Sequence, residues 1–124
     1  MRILGLLKAD ASSEAGEPPS AELIARVGEF VEEVTKAGVL LATDGLQPSA
    51  KGKRVRLADG KVNVIDGPFT ESKELIASYA LFEVKSMEEA VEWVRRCPDP
   101  MPGEEAELEI RPLAEAEDFV AKPS

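Results

Sequence analysis

The chain has 124 residues, 15 of them basic and 24 acidic, with a formal net charge of −9 and no histidine. This acidic balance excludes the positive footprint that nucleic acid or an anionic membrane requires of a partner. The length suits one domain over 1–124 whose modest core a second copy would help to complete. One cysteine rules out an intramolecular disulfide, and no apolar run is long enough to span a bilayer.

Residues 2 to 8 are nearly all apolar and predict a central strand covered on both faces. A signal-peptide reading of the same stretch fails, because Gly5 interrupts it, Lys8 ends it and no small-residue cleavage site follows. The expected location is therefore cytoplasmic. Ser12 to Pro19 reads as a small, polar loop stopped by Pro18-Pro19. Ser20 then caps a helix, with Glu22 in its positive first turn, Leu23, Val27, Phe30, Val31 and Val34 on one stripe, and Gly38 past its end. Val39 to Thr43 predicts a second strand, and Asp44 to Lys53 a loop.

The middle third predicts a hairpin with one wet face. Arg54–Leu57 and Lys61–Val64 alternate polar with apolar residues, and Asp59-Gly60 supplies the positive φ of a tight turn. Tyr79 to Val84 reads as another strand. Ser86-Met87-Glu88-Glu89 has the spacing of a capping box, opening a helix whose stripe is Met87, Ala90, Val91 and Val94 and which Pro98 terminates. Glu107 to Arg111 is the last strand, with Glu109 and Arg111 on one side and Leu108 and Ile110 on the other.

The order β-α-β, hairpin, β-α-β is the ferredoxin-like, split-βαβ plan of an α+β protein with an inserted β-hairpin. Two helices cover only one sheet face, so the other, expected to carry side chains such as Tyr79, Leu81 and Ile3 or their neighbours, calls for a partner. A homodimer closing two such faces is the economical answer.

Between the hairpin and the next strand lies Asp66-Gly67-Pro68-Phe69-Thr70-Glu71-Ser72-Lys73-Glu74-Leu75-Ile76, which concentrates turn chemistry, an aromatic anchor and four ionisable groups. Asp66 is a general-base candidate if burial raises its pKa, with Lys73 attracting an anionic ligand. The competing reading is structural throughout: Asp66 and Gly67 make a turn, Pro68 stiffens it, Phe69 plugs the core, Thr70 caps a helical turn and Glu71 complements its dipole. Asp44 stands at a strand end before the Gly45–Pro48 turn, and serves either that turn or a site. Glu109 and Arg111 line a cleft if their side of the last strand faces a partner, and are surface charges if it faces water. Lys8 is a further cleft candidate, or an edge residue whose amine snorkels to solvent.

Metal and cofactor chemistry find little support. The chain lacks histidine, shows no calcium-loop spacing, no phosphate-cradling glycine loop and no dinucleotide fingerprint, and Cys97 sits at a helix C-terminus that disfavours a thiolate. No cofactor is expected. Any catalysis would rest on carboxylates, lysine, tyrosine or backbone.

The eleven-residue run resembles the signature of the DGPF subgroup of the YCII-related family. The resemblance extends from Met1 to about Phe119, through Gly38-Val39-Leu40-Leu41, Gly45-Leu46-Gln47-Pro48, the hairpin, Glu92-Trp93, Arg96-Cys97-Pro98 and Glu109-Ile110-Arg111-Pro112. It implies a dimeric α/β barrel with a cleft where sheet and subunits meet. Some YCII-type relatives carry a histidine and an aspartate there as a proposed catalytic pair, and this chain has no histidine to match. Two functional readings follow. One is a dimeric module binding a small molecule, with Lys8, Asp44, Phe69, Lys73, Glu109 and Arg111 as candidate contacts. The alternative is a cofactor-independent lyase or isomerase with Asp66 as its base.

Overall fold

A computed structural model of the protein describes residues 1–70, 74–102 and 105–119. Its elements in chain order are β1 (Arg2–Lys8), α1 (Ala11–Glu14), α2 (Ala21–Lys36), β2 (Leu40–Gly45), a 3-10 turn (Ser49–Lys51), β3 (Lys53–Ala58), β4 (Lys61–Asp66), β5 (Ile76–Glu83), α3 (Met87–Arg95), β6 (Leu108–Pro112) and a second 3-10 turn (Ala116–Asp118). Strands β2-β5-β1-β6 form one antiparallel sheet in that order, and β3-β4 form a separate two-stranded ribbon. This arrangement is compatible with the ferredoxin-like plan with a hairpin inserted between its second and third sheet strands.

Local chemistry sets the helix ends. The Ser20 hydroxyl accepts the Leu23 N–H at 3.1 Å to open α2, and Gly38 takes φ +74° just beyond its close. At α3 the Ser86 hydroxyl accepts the Glu89 N–H, but the Glu89 carboxylate accepts from Lys85 N–H at 2.8 Å rather than from Ser86. The expected capping box is therefore shifted by one residue on its return side. The Ser12–Pro19 loop contains a helical turn that periodicity missed: Asp10 caps α1 reciprocally with Ser13, in a helix too short to show an apolar stripe.

The core lies between the two long helices and one face of the sheet. Ile3, Val34, Val39, Phe82, Val84 and Ala90 form its buried cluster, with Phe30, Leu40, Met87, Trp93, Val94 and Ile110 packed around it. Cross-strand register fixes which side chains reach it. Ile3 pairs with Phe82, Gly5 with Ala80 and Ile110, and Leu7 with Ser78 and Leu108, so these point to the helices. Of the two possibilities expected for the uncovered face, Ile3 or a neighbour, Ile3 is ruled out, because it is fully buried opposite Phe82. Its neighbour Leu4 takes that place. At the crowded centre of the sheet a Cβ on Gly5 would stand 3.2 Å from the Phe82 ring, so this strand position has little room for a side chain.

The opposite face carries Leu4, Leu6, Tyr79 and Leu81, all half-buried, and none of the core cluster. The hairpin departs further from expectation. Every residue of β3 and β4 is exposed, so both of its faces are wet in the single chain. Its turn forms as the sequence dictates, with Asp59 at φ 52° and Gly60 at φ 73°.

Candidate functional site

The signature is joined to the hairpin root by backbone closeness. Gly67 donates its N–H to the Gly52 carbonyl at 3.0 Å, and a Cβ at position 67 would fall 1.8 Å from the Ser49 carbonyl oxygen. Only glycine permits that approach. The Gly67-Pro68 peptide is cis. Ser49 is the hub of the junction: its hydroxyl accepts the Phe69 N–H at 3.0 Å and donates to Glu14, whose carboxylate also accepts the Ser49 N–H at 3.0 Å. Glu14, on α1, thereby ties the first loop to the signature. Sequence reasoning missed this contact, since nothing local links residues 14, 49 and 69.

Phe69 is half-buried rather than set in the core, and its ring lies 4.0 Å from the Arg54 guanidinium carbon. It anchors the hairpin root through this cation–π stack. Asp66 pairs with Lys53 across the last rung of the hairpin, with its side chain 75% exposed. It lacks the enclosure from which a base role was argued. Lys73 lies outside the described residues.

Four of the other candidates converge on the uncovered sheet face. Register aligns Glu109, Leu6, Tyr79 and Asp44 in one row across β6, β1, β5 and β2, and Arg111, Leu4, Leu81 and Ala42 in the next. The Tyr79 hydroxyl donates to Asp44 Oδ2 at 3.2 Å, and Lys8 Nζ stands 3.4 Å from Glu109 Oε1, with Arg111 Nη1 3.9 Å from the other carboxylate oxygen. Polar groups thus flank the apolar centre of Leu4, Leu6 and Leu81. Losing the phenol proton would break the bond to Asp44 and set two negative charges side by side, which holds the Tyr79 pKa above its ordinary value. The sequence places Tyr79 on this face and leaves tyrosine among the possible catalytic types, but its pairing with Asp44 needed the register to become visible.

Hollows also lie elsewhere, and two of them flank the sheet and helices. An apolar cavity of about 140 Å³ separates α2 from the sheet beside Cys97, whose thiol pKa is raised by burial. A wider cleft of about 610 Å³ opens between the end of β1 and the start of α2, walled by Pro18, Pro19, Met101 and Pro102. Neither contains a sequence-derived candidate. The cavity has few polar groups to orient a ligand, and in the cleft the Asp10 carboxylate accepts the Ser13 N–H while the Ser13 hydroxyl accepts the Asp10 N–H, so both side chains are engaged by backbone. The sheet face, larger volumes notwithstanding, holds the convergent chemistry. Among the described residues no three acidic or thiol groups are gathered to hold a metal ion, and no helix is long and apolar enough to cross a membrane.

The architecture defines a small α+β protein with a polar row across the sheet face opposite its core. The chain belongs to the YCII-related domain family, whose model matches residues 1–114. It is also similar to the uncharacterized protein R00369 of Rhizobium meliloti (strain 1021), at 32% identity over 103 residues, covering 83% of this chain and 79% of the relative.

Proposed function

We propose that this protein is a cytoplasmic homodimer of the DGPF subgroup that binds a small polar molecule in a cleft formed where two open sheet faces meet. The observation that carries the reading is the row Glu109-Leu6-Tyr79-Asp44, with Lys8 against Glu109, set on the face that the helices leave uncovered. In a closed dimer these groups leave bulk water, so their hydrogen bonds and charges gain strength and direction. Lys8 and Arg111 suit an acidic group on the ligand, and Asp44, Glu109 and the Tyr79 hydroxyl suit its donors.

The alternative, proton-transfer catalysis with Asp66 as base, asks for an enclosed carboxylate. Asp66 is exposed and cation-paired, and the neighbouring signature residues have structural duties, which supports binding over turnover.

Native mass spectrometry of the protein incubated with a metabolite mixture tests the proposal. Asp44→Asn with Glu109→Gln should weaken capture at least about tenfold while the dimer persists, which corresponds to about 1.4 kcal/mol. Asp66→Asn should leave capture unchanged. Light scattering that gives the mass of one chain at micromolar concentration would overturn the dimeric cleft, as would capture indifferent to Asp44 and Glu109.

A further inference from the structure

The hairpin is chemically unlike the body that bears it. Residues 51–66 hold five of the chain's 15 cations (Lys51, Lys53, Arg54, Arg56 and Lys61) and two of its 24 acids (Asp59 and Asp66). The segment is therefore +3 and the remainder −12 within the total of −9. Its register sorts the side chains. Val55 pairs with Val64 and Leu57 with Val62 on one face, which ends at the Lys53–Asp66 pair, while Arg54, Arg56, Asn63 and Lys61, with Ala58 and Ile65, belong to the other.

The apolar face is open to water: Val55, Leu57, Val62 and Val64 are 57%, 74%, 62% and 57% exposed. A two-stranded ribbon in water is marginal by itself. Its strands are not part of the main sheet, and among the described residues it is tied to the body at its root, through Gly67, Phe69 and Ser49. Four aliphatic side chains facing one way on such a ribbon are the mark of a surface completed by another one.

We propose that this hairpin is an exchanged arm, whose Val55-Leu57-Val62-Val64 face packs on a second copy of the same chain. Charge selects the occupant. A +3 arm is drawn to a −12 body, and each copy offers both, so two arms exchanged about a twofold axis satisfy both copies at once. The arm springs from the same end of the sheet as the polar row. It leaves after β2, just beyond Asp44, and returns ahead of β5, just before Tyr79. An arm laid on the partner from that root adds a wall to the partner's cleft and shields its polar groups from water. The inference rests on the homodimer proposed above and adds a second contact region to it.

The test is made on the full chain. In a dimer mixed from carbon-13-labelled and unlabelled copies, methyl protons of Val55, Leu57, Val62 and Val64 should show nuclear Overhauser contacts that cross between subunits. Leu57→Ser with Val62→Ser, which keeps the Asp59-Gly60 turn, should raise the dimer dissociation constant at least about tenfold by sedimentation equilibrium. Added salt should weaken the wild-type dimer. A wild-type dimer with no crossing contacts from these methyls, and with an affinity unmoved by the double substitution, would overturn the arm and leave the sheet-face dimer standing. A wild-type chain that stays monomeric at high concentration would overturn both. Arm methyls broadened by vesicles of anionic lipid, without crossing contacts in the dimer, would assign the arm to a membrane surface instead.

Discussion

Substituting Gly67 by alanine tests whether the signature is built around backbone closeness. The added Cβ would stand 1.8 Å from the Ser49 carbonyl oxygen, 2.7 Å from its carbon and 3.3 Å from the Gly52 oxygen. Ordinary contact begins near 3.4 Å, so one backbone must retreat by about 1.6 Å. Overpacking of this kind costs about 1–3 kcal/mol. The retreat also strains two hydrogen bonds, Gly67 N–H to Gly52 and Phe69 N–H to Ser49, each worth about 0.5–1.5 kcal/mol net. Alanine recovers about 0.4–1 kcal/mol by restricting the unfolded chain. The balance is a loss of about 1–6 kcal/mol, centred near 3. Urea unfolding measures the global part, and amide hydrogen exchange locates it. Gly67 and Phe69 amides should lose protection ahead of those of β1 and β5, because the root opens before the sheet does. Unchanged urea stability together with unchanged protection at Phe69 would refute the close approach.

Gly28→Ala is the complementary case: beyond its chain neighbours and its own helix backbone no atom lies within 4 Å of the new Cβ in the middle of α2, so the helix should gain about 1 kcal/mol in urea unfolding. Phe69→Ala should cost about 2 kcal/mol, below the range for a core phenylalanine, because the ring is half-buried and stacks on Arg54; a loss confined to hairpin amides in hydrogen exchange would agree. Tyr79 is the chain's one tyrosine, so phenolate absorbance reports it alone. Its midpoint should lie above that of free tyrosine, about 10, and fall in Asp44→Asn. A folded-state pKa that is raised means the Tyr79–Asp44 bond stabilises fully below the ordinary phenol range and is lost as pH rises through the folded value.

The topology was legible because each sheet strand and each long helix carries its own period and its own stop signal. Ser20, Gly38 and Asp59-Gly60 all act where the pattern places them, and strand ends moved by a few residues at most. What failed needed information from across the chain. Ile3 and Leu4 are adjacent apolar residues, and only the pairing of β1 with β5 decides which one meets the helices. The dry face expected of the hairpin came from a sound alternation, but alternation says that a face is apolar and not that this chain covers it. Glu14 escaped notice because α1 is one turn long and its partner Ser49 lies 35 residues away.

The same distinction bears on the signature. Four consecutive residues of unusual chemistry invite a catalytic reading, yet here each is accounted for by the geometry around the hairpin root. Asp66 closes the last rung with Lys53, Gly67 admits the Ser49 carbonyl, Pro68 follows in a cis peptide, and Phe69 carries Arg54 on its ring and gives its N–H to Ser49. Residues so occupied hold an element in place. The element they hold is the basic, apolar-faced hairpin, and the groups with room to meet a ligand, Lys8, Asp44, Tyr79, Glu109 and Arg111, stand on a different surface, the open sheet. If the hairpin is the exchanged arm proposed above, the signature acts on function at one remove, and a lesion such as Gly67→Ala should weaken dimerisation before it alters any group of the polar row. Sedimentation equilibrium of Gly67→Ala alongside its Tyr79 titration separates the two effects. A raised dissociation constant is expected, with the phenol midpoint unmoved when it is read at dilutions where both proteins are monomeric, and a midpoint shifted under those conditions would place the signature in the site itself.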